Sequence, residues 1–343
     1  MLDRLDDPTP FYPGDQFRSG VERRARKIRF RRRVLTTSMV SVIVIAGLAV
    51  SALAYVARRD AALERIPIAT QPSTDGATNL LVVGSNDLPT TGTDHLADEV
   101  AILRFETDGS VRILSIPRDL WDPQTNRPLI ADYLDGPQAL VDRVTGLLGI
   151  PVDHYVGLDF AGFEALVDEA GGLHVGIDEP LQDDATGIDL EPTACTTLDG
   201  ATTLALVRSR TIGAPTGDLG RIELDQAIMK IAVASIADSN TDLLTIDGYT
   251  RTLADHAVVD SGLSLTRLMR LGRALVGAGS AGTSTVTLPV EEMAAPDGGG
   301  SVLRTNSTAP AVLQTFGAAA ANSPPPSGPA PSVPDAAGPI HPC

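Results

Sequence analysis

"LLVVGSNDLP", Leu80–Pro89, decides the fold. Four apolar residues run without interruption into Gly84 and a polar turn. A continuous apolar run of this kind reads as a strand buried on both faces, not as one with a wet side. Such strands lie at the centre of α/β domains, and ligands gather where they end. At this strand end stand Asn86 and Asp87.

Downstream, "EVAILRF" and "VRILSI" flank "ETDGS", the pattern of two strands joined by a tight turn. "GPQALVDRVTGLLGI" has helical spacing at Leu140, Val141, Val144, Leu147 and Leu148. "DHYVGLDF" reads as a strand, "FEALVDEAGG" as a helix closed by glycine, and "LHVGID" as a further strand. A turn and helix follow in "LDGATTLALVRSR", then the amphipathic helices "GRIELDQAIMKIAVASIAD" and "LSLTRLMRLGRALVGA", then a late strand in "TSTVTLPV". Strands interspersed with helices, one hairpin among them, predict an α/β/α sandwich around a central mixed β-sheet.

Charge divides the 343-residue chain unevenly. Residues 1–33 carry ten Lys/Arg against five Asp/Glu, leaving 17 against 38 for the rest and a net charge of −16. Between the two parts lies Val34–Ala57, 24 residues without a charge. About 20 apolar helical residues cross a bilayer, so this run predicts one transmembrane helix ahead of the sandwich. The arginine-rich "RRARKIRFRRR" before it predicts a cell-membrane protein with a cytoplasmic N-terminus and an extracytoplasmic main domain. Topology accounts for the basic block, so no nucleic-acid partner is expected. The expected organisation is a basic tail over 1–33, the spanning helix over 34–57, a stalk over 58–78 and the folded domain over 79–317. A disordered Pro/Ala-rich tail over 318–343 completes it. The two cysteines, Cys195 and Cys343, do not make a metal site. They pair with each other, remain free thiols, or leave Cys343 to lipidation or cross-linking.

Polar residues gather beside apolar runs in "LSIPRDLW", "LALVRSR" and "GDLGRIELDQ". Arg118, Arg208 and Arg210 stand close to predicted strand or helix ends. A guanidinium binds phosphate oxygens bidentately and stays charged when partly buried, so three of them suit a diphosphate. Taken singly, each arginine in so acidic a chain reads more simply as one half of an ion pair.

From Asn79 to about Asp238 the chain resembles the LytR–CpsA–Psr family of bacterial cell-envelope enzymes. "NLLVVGSN", "ADEVAILRF", "VRILSIPRD", "GIPVDHYVGLDFAGFEALVDEAGGLHVGID", "TLDGATTLALVRSR" and "GDLGRIELDQ" match its blocks in order. The resemblance implies a phosphotransferase that moves a glycopolymer from a polyprenyl diphosphate carrier to peptidoglycan, with Mg²⁺ as cofactor and the membrane as a partner. It implies catalytic roles for Arg118, Arg208, Arg210, Asp218 and Arg221. Substrate contacts would come from Arg118, Asp119, Arg208, Arg210 and Gln226. The metal would fall to Asp98 with Asn86 or Asp87. The chain departs from the family pattern at Asn86, where the family has a metal-binding Asp, and at Leu88, Leu96 and Leu224, where it has arginines. Those departures motivate an alternative, a non-catalytic membrane-anchored member that binds a polyprenyl phosphate or a glycan.

Overall fold

The computed structural model describes residues 54–88, 97–209, 211–212, 243–296, 301–318 and 339–343, and positions 224, 227, 228, 231, 232, 234 and 235. The chain divides into two compact units, Met1–Ala57 and Arg58–Cys343. Of the first, only 54–57 are described, and they are helical; helical conformation also covers 58–62.

Among the described residues no helix is long and apolar enough to cross a membrane. That overturns the expected spanning helix over Val34–Ala57, and with it the single-pass placement drawn from it. Positions 34–53 of the run lie outside the described residues, and the helical stretch over 54–62 includes the charged residues Arg58, Arg59 and Asp60.

The expected mixed sheet is present. Seven strands lie in the order β1 (Glu64–Ile66), β12 (Ala257–Asp260), β7 (His154–Asp159), β2 (Thr78–Ser85), β3 (Ala97–Phe105), β4 (Val111–Ser115) and β13 (Thr283–Thr287). β2 runs parallel to β7 and antiparallel to β3, and β3 forms the expected hairpin with β4. Leu81 lies opposite Ile102 on one side and Tyr155 on the other, and Ile102 opposite Leu114. These four are fully buried.

Both sheet faces are covered, which is why β2 carries no polar alternation. One face packs on α3 (Pro137–Leu148), through Leu140, Val141, Val144 and Leu148, and on Val312 and Phe316 near the C-terminal helix Ala309–Gln314. α3 starts with a proline and ends at Gly149, whose φ of 67° is the left-handed conformation that closes helices. The other face packs Leu80, Ala101 and Val156 with Leu271 and Leu275 of the helix Leu265–Gly282. Full burial of one such Leu or Ile side chain contributes about 1.5–3 kcal/mol, so this double-sided burial stabilises the sandwich.

A third apolar cluster lies among α4 (Phe160–Glu169), β8 (Leu173–Ile177), α5 (Gly200–Arg208) and positions 224, 228 and 231. The described positions from 224 to 235 are all helical, as the sequence pattern predicts. α4 begins earlier than expected, at Phe160, because the Asp159 side chain accepts a hydrogen bond from Gly162 N–H and caps the helix.

The tail expected to lack structure to residue 343 ends instead in a strand. β16 (Ile340–Pro342) pairs antiparallel with β8, and Cys343 is disulfide-bonded to Cys195 in β11 (Thr193–Leu198). Ile340 is buried in the third cluster, so one apolar residue and one covalent bond anchor the end of a Pro-rich segment.

Candidate functional site

The tips of β2, β3, β4 and β7 meet at one edge of the sheet. Ser85, the last residue of β2, pairs with Asp159 of β7 on one side and Ala97 of β3 on the other. The ladder slips between Gly84 and Ser85: Gly84 faces Glu99, Ser85 faces Ala97, and Asp98 is the extra residue of a β-bulge. A bulge turns its side chain away from the regular alternation. Asp98 is thereby half-exposed beside the Asn86–Asp87 turn, whose two residues are exposed.

Arg118 reaches this edge from β4. Ile116 N–H bonds to Val100 O, extending the ladder until Pro117 ends it. The backbone beyond is pinned, with Arg118 O accepting from Ile130 N–H and Asp119 O from Leu303 N–H. Arg118 Nη1 donates to Asp98 Oδ1 at 2.5 Å, and its Nε lies 3.8 Å from Asp119 Oδ2. With 20% of its side chain exposed, Arg118 is not sealed off from solvent.

Below the turn runs a set of hydroxyls. Ser85 Oγ donates to Asp87 O at 2.7 Å, and the phenols of Tyr133 and Tyr155 lie 3.1 Å apart. Burial raises the pKa of both phenols, against a hydrogen-bonding contribution from Ser85 that lowers that of Tyr133. Both stay protonated at neutral pH. A Cβ on Gly157 would stand 2.7 Å from the Tyr155 hydroxyl, so glycine there leaves room for the phenol.

Arg208 ends α5, which Asp199 caps through Thr202 N–H. Its guanidinium carbon lies 5.1 Å from the centre of the Phe160 ring, a cation–π contact. Phe160 directly follows Asp159, the partner of Ser85, so Arg208 stands on the β7 side of the edge and Arg118 on the β4 side. Arg208 has no carboxylate partner among the described residues, unlike Arg118. Arg210, Asp218, Arg221 and Gln226 lie outside the described residues, as does Leu96.

Two departures from the family pattern are accounted for by burial. Leu88 is 6% exposed and Leu224 1%, the latter inside the third apolar cluster, so each supplies packing where an arginine would need a polar partner. The bulge at Asp98, the Phe160 platform and the Ser85–Tyr133–Tyr155 hydroxyls were missed by reading the sequence. Of these only the aromatic directly after an apolar strand was visible as a signal.

The LytR_cpsA_psr family profile matches residues 49–315. The chain belongs to the LytR–CpsA–Psr family. Among curated relatives, the probable cell wall biosynthesis protein LcpB of Corynebacterium glutamicum is 28% identical over 81% of this chain and 70% of its own length. The cell wall biosynthesis protein LcpA of the same organism is 28% identical over 64% of this chain and 54% of its own. Among solved structures, a LytR-Csp2A-Psr enzyme from Actinomyces oris superposes with a TM-score of 0.62 and 26% identity, covering 75% of this chain and 97% of that one. TagV of Bacillus subtilis, at 0.59 and 21% identity over 73% and 100%, shares the fold. For this member of the LytR–CpsA–Psr family, the matched region contains the whole strand-tip edge.

Proposed function

We propose that the chain is a phosphotransferase that moves a glycopolymer from a polyprenyl diphosphate carrier to a hydroxyl of peptidoglycan. The observation that carries this reading is the partly exposed Arg118–Asp98 pair at the strand tips, with Arg208, which has no carboxylate partner among the described residues, on the other side of the same edge. Family membership supports it, as do relatives named for cell wall biosynthesis.

Phosphoryl transfer asks a protein mainly to position the reactants and neutralise charge. The acceptor hydroxyl oxygen bonds to the phosphorus that bears the glycopolymer. The bridging P–O bond breaks with its electron pair going to the departing polyprenyl monophosphate, and the proton of the attacking hydroxyl passes to that phosphate or to water. Arg118 and Arg208 would hold non-bridging oxygens through their forks, with Arg210 and Arg221 supplementing them and Asp218 and Gln226 orienting these groups. Asp119 would orient Arg118.

The donor set at the edge suits Mg²⁺, which takes one or two carboxylates and completes its shell with phosphate and water. Arg118 occupies Asp98 Oδ1, and Oδ2 has no protein partner among the described residues. Asp98 would hold the ion with the Asn86 carbonyl or the Asp87 carboxylate. Bound there, Mg²⁺ would neutralise diphosphate charge.

The test is to incubate the chain with a short-chain polyprenyl diphosphate glycolipid, Mg²⁺ and peptidoglycan fragments. The expected products are polyprenyl monophosphate and a phosphodiester-linked acceptor. Saturable binding with no released monophosphate would favour the non-catalytic reading, which the Asn86 substitution motivates.

A further inference from the structure

The helix Leu265–Gly282 covers one face of the sheet and leaves its outer side to solvent. Leu265, Leu271 and Leu275 are buried in the second apolar cluster, with Leu268 and Met269 packed beside them. Arg267, Arg270 and Arg273 are exposed. At 3.6 residues per turn, positions i, i+3 and i+6 fall within about 120° of one another, over about 9 Å of helix axis. The three guanidinium groups therefore share one outer face, ahead of the break in the helix at Gly279.

None of the three has a hydrogen-bond or ion-pair partner among the described residues. Elsewhere this chain pairs its arginines: Arg65, Arg104, Arg127, Arg143, Arg251 and Arg304 each meet a carboxylate. The difference is written in the sequence. The chain has 43 Asp/Glu in 343 residues, about one in eight, yet from Ser261 to Val290 there are three arginines and no acid. The arrangement does nothing for the helix itself. Like charges three residues apart repel. Arg267, whose N–H bonds to the capping hydroxyl of Ser264, sits in the first turn, where the helix dipole disfavours a cation. A broad anionic partner would relieve both costs. The face is the convex outer side of one cylinder, which suits a plane of negative charge better than a small molecule or a threaded strand.

We propose that this arginine face docks the folded domain on a bilayer surface bearing anionic phospholipid headgroups. This is attachment by charge at a surface and needs no spanning helix. The chain as a whole carries a net charge of −16, so the same surface repels most other sides of the domain, and docking fixes which way it faces. Three arginines give a weak, reversible and salt-sensitive contact. The inference goes beyond the phosphotransfer reading and does not depend on it. Where that reading holds, docking brings the domain to the surface in which a polyprenyl carrier is dissolved.

The test uses the full chain with a fluorescent thiol label at Thr266→Cys, an exposed position on the same face; the native cysteines are bonded to each other and do not react. Vesicles contain phosphatidylcholine spin-labelled at its headgroup, with or without about 30% phosphatidylglycerol. Quenching of the label is expected on the anionic vesicles, about tenfold weaker on neutral ones, and lost at about 0.5 M salt, where screening is nearly complete within a few ångströms. A control label at Asp184→Cys, exposed in the turn after β9 (Leu181–Asp183), should be quenched little, however the basic segment 1–33 binds. Changing Arg267, Arg270 and Arg273 together to Gln should weaken the lipid-dependent signal by about 100-fold in lipid concentration, roughly fivefold per arginine. Gln matches Arg in helix propensity, so the melting temperature should hold within about 2 °C. Changing all three to Lys should retain the signal, because a headgroup surface reads charge. Equal quenching on neutral vesicles, quenching that survives the Gln variant, or its loss in the Lys variant overturns the proposal. So does a lipid-free dimer that the Gln variant abolishes, which would assign the face to a second copy of the chain. Turnover of a short-chain carrier in solution should be the same in the Gln variant and the native chain. Its absence from both would sink the phosphotransfer reading and leave the docking result standing.

Discussion

The two ends of β3 carry an arginine environment each, and they use the same chemistry in opposite ways. Arg104, near the end of β3, is 5% exposed. Its guanidinium donates to Asp75 at 2.5 Å, to Glu106 at 2.8 Å and to Asn79 Oδ1 at 3.3 Å. Asn79 in turn donates to Pro151 O and Phe316 O, so this cluster ties the segment before β2 to the end of the C-terminal helix. At the start of β3, Arg118 reaches Asp98 with one hydrogen bond, and among the described residues its guanidinium makes no other. A guanidinium whose donors face carboxylates on several sides is a staple. One held by its backbone and by a single close carboxylate contact has capacity left for a ligand.

The largest effect that would break this contrast is on stability. Arg104→Met should cost about 3 kcal/mol in denaturant unfolding, the low end for breaking a buried ion pair because Asp75 is half-exposed. Phosphate-ligand binding should change little. A cost below 1 kcal/mol would show that the far end is no staple.

Arg118→Ala should do the reverse. Geranylgeranyl diphosphate affinity should fall by about 1.5–3 kcal/mol, roughly 10–150-fold, for one charge-assisted contact. Stability should shift by less than about 1 kcal/mol, since its ion pair is partly exposed. Equal binding by the native chain and the variant would reduce Arg118 to a surface ion pair.

Asn86→Asp sharpens the contrast by adding charge at the ligand end alone. A second carboxylate near Asp98 should tighten Mg²⁺ binding in the presence of geranylgeranyl diphosphate, and slightly destabilise the chain in chelator. If Asp87 already serves the ion, Asn86→Asp should leave the titration unchanged and Asp87→Ala should abolish it.

The smallest effect is a pH dependence at the staple. The hydrogen bond from Arg104 holds the Asp75 carboxyl below its ordinary value of 3.8. A depressed folded-state pKa contributes stability that is present above 3.8 and lost as pH falls through the lower folded value. Asp75→Asn should therefore flatten the acid limb of stability while costing no more than about 1 kcal/mol at neutral pH, given how exposed the carboxylate is. An unchanged acid limb would remove Asp75 from the staple.

Apolar pattern made the sandwich legible. The β3–β4 hairpin, α3 and the continuous β2 run stand where their periodicities put them, since burial on two faces leaves no room for polar interruptions. The single-pass membrane placement did not hold, because the absence of charge in a window does not specify the helix that contains it, and charged residues share the helical stretch that is described. At the candidate site, Arg118 and Asp98 were found by family motif, yet their contact was not. It depends on a one-residue slip in a ladder, and no residue type marks that slip.

The bond between Cys195 and Cys343 gives the chain a covalent shape that its linear sequence lacks. Everything from residue 195 onward is a closed ring, hung from a separate three-stranded sheet in the order β11, β8, β16. A cut anywhere in that ring, including within 319–338, opens the circle without shedding a fragment. On a gel the nicked chain would keep its full mass until a reductant is added, and β16 would stay seated on β8. A label attached after Cys343 would report from the edge of β8, and not from the end of a free tail.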